Sequence, residues 1–282
     1  MKKIGLACVG GGVKASSNIG AIQALREANI KIDAISGTSI GSIVAIMYAL
    51  DFSTEEMLER FEEYAVSFPK FSLGEKLKAP FNFAFIGGLK DSKVVSESIE
   101  RLLKDVTTEN MNDLELPIFI PTLDITNKKT VYYTSRPIEG EECLLDRPIS
   151  EAIRNTASLP LLYVPNTVYI NGEMRQFLDG GMTNNTPAYH LHEFADTVIG
   201  IENNYHKVVE GKKVNIITGI RNTFQGMRRS AVPLQKKYAD IWVNVECGDT
   251  DVLGRPDEVK KCYEAGYNAM KKALENGLLG DI

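Results

Sequence analysis

A chain of 282 residues, 44% hydrophobic and 24% charged, has enough apolar material for one large α/β domain with a sizeable core. Its net charge of -5 excludes the global basic field that binding to duplex nucleic acid needs, so any contact with acidic lipid must be local. Cys8, Cys143, Cys247 and Cys262 are far apart, show no CxxC spacing and sit in apolar or helical surroundings, which reads as free thiols in a reducing compartment, not as disulfides or a metal site.

The first residues, Met1-Lys2-Lys3 followed by an apolar run, imitate a secretory leader. The run is short, however, and passes straight into Gly10-Gly11-Gly12, as a strand entering a loop would. A cytoplasmic location is expected. No apolar stretch approaches the roughly 18 residues needed to span a bilayer, so contact with membrane is expected to be peripheral.

In chain order, Lys3 to Val9 has the length and character of a strand, and the glycine turn follows it. Ser16-Ser17-Asn18 offers helix N-caps, after which Ile19, Ile22, Leu25 and Ala28 recur at helical intervals. A second short strand, Ile32 to Ser36, runs into Gly37-Thr38-Ser39-Ile40-Gly41, and Ile43 to Leu50 gives another helix. The repeat of strand, glycine turn and helix implies parallel strands with functional loops at their carboxyl ends. Ser53 to Val66 reads as an acidic amphipathic helix opened by a capping box, Ser53 with Glu56. Further elements are a helix over Val94 to Leu103, strands over Leu116 to Asp124 and Thr130 to Ser135, and a helix over Ile149 to Ala157. A hairpin follows around Asn171-Gly172, then buried strands over Val198 to Glu202 and Ile241 to Val245, and a closing helix from Pro256 to Asn276. The expected fold is a single α/β domain over residues 1–282, with a central, mostly parallel sheet flanked by helices.

The chemistry concentrates in Gly37-Thr38-Ser39-Ile40-Gly41. A GxSxG between a strand and a helix forces the serine backbone into a sharp elbow that lifts its hydroxyl clear, and the following helix aims its first amides at the site. Gly10-Gly11-Gly12 can cradle an anion with unobstructed backbone N–H groups, either a phosphate or a tetrahedral oxyanion. A dinucleotide site would need an acidic residue about 20 positions on, where only Asp33 qualifies, just before the elbow. A serine also needs a base. Among three histidines, His190 and His192 lie in an ordinary helical stretch, Ala188 to Phe194, whereas Asp179 in Leu178-Asp179-Gly180-Gly181 is a carboxylate delivered by an apolar strand into an uncluttered turn. Partial desolvation there would raise its pKa and fit it for general-base work.

Taken together, Gly10-Gly11-Gly12-Val13-Lys14, the Ser39 elbow and Asp179-Gly180-Gly181 resemble the patatin-like phospholipase family in order, type and spacing. The segment Ala152 to Pro160, with Asn185 and Pro187, matches the stretches that flank the Asp-Gly-Gly motif in that family, and the likeness covers roughly the first 190 residues. Ala15 stands where the family often has glycine. The resemblance implies a lipid acyl hydrolase with a Ser39–Asp179 dyad and no histidine, acting on phospholipid or another acyl ester without metal or cofactor. It also implies an oxyanion hole from the amides of Gly10, Gly11 and Gly12, to which general elbow geometry adds the amide of Ile40. Lys14 matches a basic, substrate-facing position of the glycine loop. Two other readings use the same residues: a phosphate- or nucleotide-binding protein built on the Gly10–Gly12 loop, and a catalytically silent lipid-binding member of the fold. Aromatics interleaved with lysines from Phe68 to Lys90 suit either a lid or interfacial patch or phenylalanines packed on the core, and the basic stretch Arg221 to Lys237 reads as a surface loop in preference to a contact for anionic head groups.

Overall fold

The computed structural model describes residues 2–67, 88–91, 93–103, 106–204, 216–248 and 256–277. The strands are β1 (Ile4–Cys8), β2 (Ala34–Gly37), β3 (Gly88–Asp91), β4 (Ile118–Asp124), β5 (Lys129–Thr134), β6 (Cys143–Leu144), β7 (Leu161–Val164), β8 (Asn166–Ile170), β9 (Glu173–Asp179), β10 (Thr197–Asn203) and β11 (Ile241–Val245). The helices are α1 (Ser16–Glu27), α2 (Ile40–Ala49), α3 (Thr54–Ser67), α4 (Lys93–Leu102), α5 (Ile149–Thr156), α6 (Ile216–Lys236) and α7 (Pro256–Glu275). Nine strands form one sheet whose main path runs β11-β10-β1-β2-β4-β5-β6, with β9 on β4 and β8 on β9, while β3 and β7 pair separately. The β1, β2, β10 and β11 ladders and the β2–β4 ladder are parallel, as the strand–turn–helix repeat requires.

Alternation along β1 shows how the sheet is covered. Ile4, Leu6 and Cys8 enter the larger apolar cluster, which they share with buried residues of α1, α2, α3 and α7. Ala7 turns to the opposite face, where it packs with Ala34, Phe119, Tyr132, Leu191 and Val198 in a smaller cluster. Leu191 in that cluster comes from a 3-10 turn, Leu191–Glu193, so the helical stretch expected over Ala188 to Phe194 shrinks to one turn. The α1–α7 crossing is set by glycine. A Cβ on Gly20 would stand 2.0 Å from the carbonyl oxygen of Tyr263, and one on Gly266 would stand 2.0 Å from that of Ser17. Only bare backbones can approach so closely.

Local signals fare differently. The Ser53–Glu56 capping box forms, with the Ser53 N–H donating to Glu56 Oε2 at 2.9 Å and the Glu56 N–H donating to Ser53 Oγ at 3.2 Å. Asn171 and Gly172 adopt φ of 52° and 83°, as a tight Asn-Gly hairpin demands. Ser16 and Asn18 do not cap α1. Ser16 instead donates to the carbonyls of Val13 and Val259, and Asn18 binds both the N–H and the carbonyl of Val9. These buried polar groups stitch the helix to the glycine turn, because their own site leaves them no solvent. The stretch expected as a surface loop from Arg221 to Lys237 is mostly the helix α6, with Pro233 inside it. Of the aromatic and lysine-rich segment Phe68 to Lys90, residues 68–87 lie outside the described residues, and its last three belong to β3.

The two edges of β4 position the site. β5 occupies one edge of β4 from Phe119 to Asp124, and the other edge is shared: β2 pairs with Ile118 and Phe119, while β9 pairs antiparallel with Thr122 to Asp124. The carboxyl ends of β2 and β9 therefore meet head to head along β4. Pro121 stands at the changeover, where a residue without an N–H leaves no ladder donor orphaned.

Gly20→Ala is expected to lower the urea unfolding midpoint by an amount equivalent to about 2–3 kcal/mol, since two backbones must separate. Gly226→Ala on α6, where an added Cβ meets nothing within 4 Å, is expected to leave the midpoint unchanged or raise it by up to about 1 kcal/mol.

Candidate active site

The junction of β2 and β9 brings Ser39 and Asp179 together: the Ser39 hydroxyl donates to Asp179 Oδ2 at 2.7 Å. Ser39 has φ 52° and ψ -132°, an uncommon conformation for a residue with a side chain. The glycines on either side make that elbow possible. A Cβ on Gly37 would lie 2.6 Å from the Gly41 carbonyl oxygen, and one on Gly41 would lie 2.4 Å from that of Val9. The elbow is also held from outside. Thr156, at the end of α5, accepts the Ser39 N–H at 3.1 Å and donates to the Pro121 carbonyl at 2.6 Å. Thr38 donates to the Asn184 carbonyl at 2.7 Å and Ser42 to the Ser39 carbonyl at 2.5 Å.

Asp179 ends β9 and is 4% exposed. Its N–H is taken by the Ser158 carbonyl at 2.9 Å, and its second carboxylate oxygen, Oδ1, accepts the Gly181 N–H at 2.7 Å. Burial pushes its pKa above the ordinary aspartate value, against the opposing pull of Arg228, the Ser39 hydroxyl and the Gly181 amide. Asn185 joins the two halves of the site: its carbonyl accepts the Gly10 N–H at 3.1 Å, and its Oδ1 would lie 2.9 Å from a Cβ on either Gly10 or Gly181. The sequence by itself assigns no role to Thr156, Ser158 or Arg228. The first two lie within the Ala152 to Pro160 segment, so only the family likeness hints at them, and Arg228 is hidden in a stretch whose helical pattern is interrupted by Pro233.

The glycine loop lies beside the elbow. Gly10 spends its amide on Asn185, whereas the N–H groups of Gly11, Gly12 and Ile40 have no partner among the described residues. Gly12 has φ 61°, which glycine adopts without strain. Lys14, which the resemblance sets at a substrate-facing position, is buried and donates to the Gly248 carbonyl at 3.5 Å. Asp33, the acidic residue a dinucleotide site would use, accepts the Ile4 N–H at 2.9 Å at the amino end of β1, opposite the glycine loop. His190 is also elsewhere. Its ring packs among Phe119, Tyr132 and Tyr189, with Nδ1 2.9 Å from Glu193 Oε1 and Nε2 3.3 Å from Glu141 Oε1. His192 faces Asp240, and His206 lies outside the described residues. None of the four cysteines is in a disulfide. Among the described residues no group of His, Cys, Asp and Glu is arranged to hold a metal, and no helix is long and apolar enough to cross a membrane.

The profile of the patatin-like phospholipase family matches residues 6–192, and the chain belongs to that family. It is similar to human patatin-like phospholipase domain-containing protein 6, with 32% identity over 203 residues, which make up 71% of this chain and 13% of that relative. It thus spans only a small part of that relative's length. Among solved structures it is similar to VipD from Legionella pneumophila, with a TM-score of 0.53 at 13% identity over 98% of this chain and 67% of VipD. Human GIVD cytosolic phospholipase A2, in complex with methyl gamma-linolenyl fluorophosphonate and terbium chloride, gives 0.50 at 11% identity over 99% of this chain and 58% of its own. At those identities the likeness is one of fold, and it agrees with the mostly parallel sheet and flanking helices read from the sequence.

The raised pKa of Asp179 fixes the sign of a stability effect. A carboxyl whose folded pKa lies above its unfolded value stabilises the fold below the unfolded pKa and loses that contribution as pH rises through the folded pKa. Asp179→Asn, which mimics the protonated form, is therefore expected to have a higher thermal midpoint than wild type at pH 7 and a matching one near pH 3. Thermal unfolding followed by circular dichroism at both pH values checks this.

Proposed function

We propose that the chain is a lipid acyl hydrolase of phospholipase A type, cleaving fatty acyl esters with Ser39 as nucleophile and Asp179 as its base. The observation that carries the reading is the 2.7 Å hydrogen bond from a serine on a strained strand-to-helix elbow to a buried carboxylate. Family membership, and the fatty-chain fluorophosphonate with which the phospholipase A2 neighbour is complexed, lend support to an acyl-chain substrate.

In the first step the Ser39 oxygen attacks the ester carbonyl carbon as its proton passes to Asp179. The carbonyl oxygen takes the negative charge, and the amides of Gly11, Gly12 and Ile40 receive it, helped by the amino end of α2. Collapse breaks the ester C–O bond, and the proton held on Asp179 leaves with the alcohol. Water, deprotonated by Asp179, then attacks the acyl-enzyme, the fatty acid departs, and the proton returns to Ser39. A nearly desolvated aspartate is a stronger base than a solvated one, which is what a dyad without histidine needs. Gly10, with its amide held by Asn185, shapes this loop and takes no oxyanion contact. Substrate reaches the site from a lipid surface that the protein meets peripherally.

With p-nitrophenyl esters of graded chain length, Ser39→Ala and Asp179→Asn are each expected to lower kcat by at least about 10³-fold while remaining folded. His190→Gln is expected to keep kcat within a few-fold of wild type, because His190 serves a packing cluster and not the dyad. Full activity in Asp179→Asn would overturn the assignment of the base, and loss of kcat in a folded His190→Gln would restore a histidine triad.

A further inference from the structure

α6 is latched onto the loop that follows Asp179 at two places two turns apart. Arg228 Nη2 donates to Asn185 Oδ1 at 2.6 Å, and Gln235 accepts the Thr186 N–H at 3.1 Å while donating to the Thr183 carbonyl at 3.5 Å. The first latch lands on the residue that links the two glycine turns, since Asn185 holds the Gly10 amide and lies against both Gly10 and Gly181. It also brings a charge to the dyad. A methyl group placed on Gly181 would stand 2.8 Å from Asp179 Oδ1 and 3.7 Å from Arg228 Nε, so the guanidinium and the carboxylate border the same small space beside Gly181.

We propose that Arg228 is a positioning residue of this site: its guanidinium fixes Asn185 across the two glycine turns and holds positive charge against the buried Asp179 carboxylate. The inference rests on the dyad reading for its meaning in catalysis, but the electrostatic claim stands on the geometry alone. A carboxylate taken out of water needs compensation to stay ionised. The groups facing Asp179 are few. The elbow brings the Ser39 hydroxyl and its own turn brings the Gly181 amide, while Thr122 on β4 and Thr156 and Ser158 at the end of α5 are uncharged. Arg228 is the charged group among the described residues that acts on Asp179, in the direction opposite to burial. Arginine suits the task because its planar guanidinium stays charged and can give one N–H to Asn185 while its face and edge remain near the carboxylate. The sheet edge and the elbow bring Ser39 and Asp179 together, and α6 supplies the field that keeps the base in its working form.

The test is the titration of the Asp179 carboxyl in the full chain, followed by carbon NMR on protein labelled with carboxyl-¹³C aspartate and assigned against Asp179→Asn. Arg228→Gln is expected to raise the midpoint by about one pH unit or more, and Arg228→Lys to leave it near that of wild type. The acid limb of kcat/KM on an uncharged p-nitrophenyl ester is expected to move by the same amount in Arg228→Gln, with activity recovered at higher pH. Should Arg228→Gln fail to fold, Arg228→Met keeps the packing of the stem and takes its place. An unchanged Asp179 midpoint in the neutral variant would overturn the proposal, as would equal shifts in the neutral and lysine variants. Because the titration needs no turnover, a protein that hydrolyses no ester would overturn the hydrolase reading while leaving this result to be read separately.

Discussion

β4 offers one of its edges to two strands that approach from opposite directions. β2 runs parallel to it and stops after Phe119, β9 runs antiparallel and stops at Thr122, and Pro121 fills the gap. The rest of the site depends on this meeting. Each incoming strand ends in a tight glycine turn, and the side chains that meet there are Ser39 on one side and Asp179 on the other. Nothing else in the molecule needs to search for the other partner, because the register of two ladders on β4 already fixes the gap between them. α5 then locks the junction, with Thr156 bonded to the Ser39 amide and Ser158 to that of Asp179.

Such a junction is costly in stability, and the surrounding packing offsets the cost. Ser39 is held at a positive φ that its Cβ disfavours, and Asp179 is a carboxylate with almost no access to water. Both liabilities sit against the larger apolar cluster. The larger apolar cluster gathers β1, β2, α1, α2 and α7 behind the elbow, and the glycine contact between α1 and α7 lets those helices close on it. A strained serine beside a buried carboxylate on a well-packed scaffold is the arrangement that the proposed dyad needs, and it is held at a cost in stability.

Much of this is legible in the sequence, for reasons that can be named. The strand–turn–helix repeats, the Asn171-Gly172 hairpin and the Ser53–Glu56 box are local signals whose chemistry is complete within a few residues, and they appear in the structure where the sequence places them. The family likeness is carried by three ordered motifs and is confirmed by the match over residues 6–192. What escapes is whatever depends on distant partners. Ser16 and Asn18 look like caps, but Val259 and Val9 claim their hydrogen bonds. Lys14 matches a substrate-facing position of the glycine loop, yet it is buried and donates to Gly248, more than 200 positions away. Arg228 belongs to a stretch that reads as a loop because Pro233 breaks the helical pattern, although α6 runs through it. Its closeness to Asp179 is a property of tertiary packing, which no spacing in the chain encodes.

The most direct test of the central claim is covalent capture. Incubation with a long-chain alkyl fluorophosphonate, followed by intact mass and peptide mapping, is expected to give a single adduct on Ser39, none in Ser39→Ala, and much slower labelling in Asp179→Asn. An adduct on another residue, or an Asp179→Asn variant that labels as fast as wild type, would contradict a serine made nucleophilic by the buried aspartate beside it.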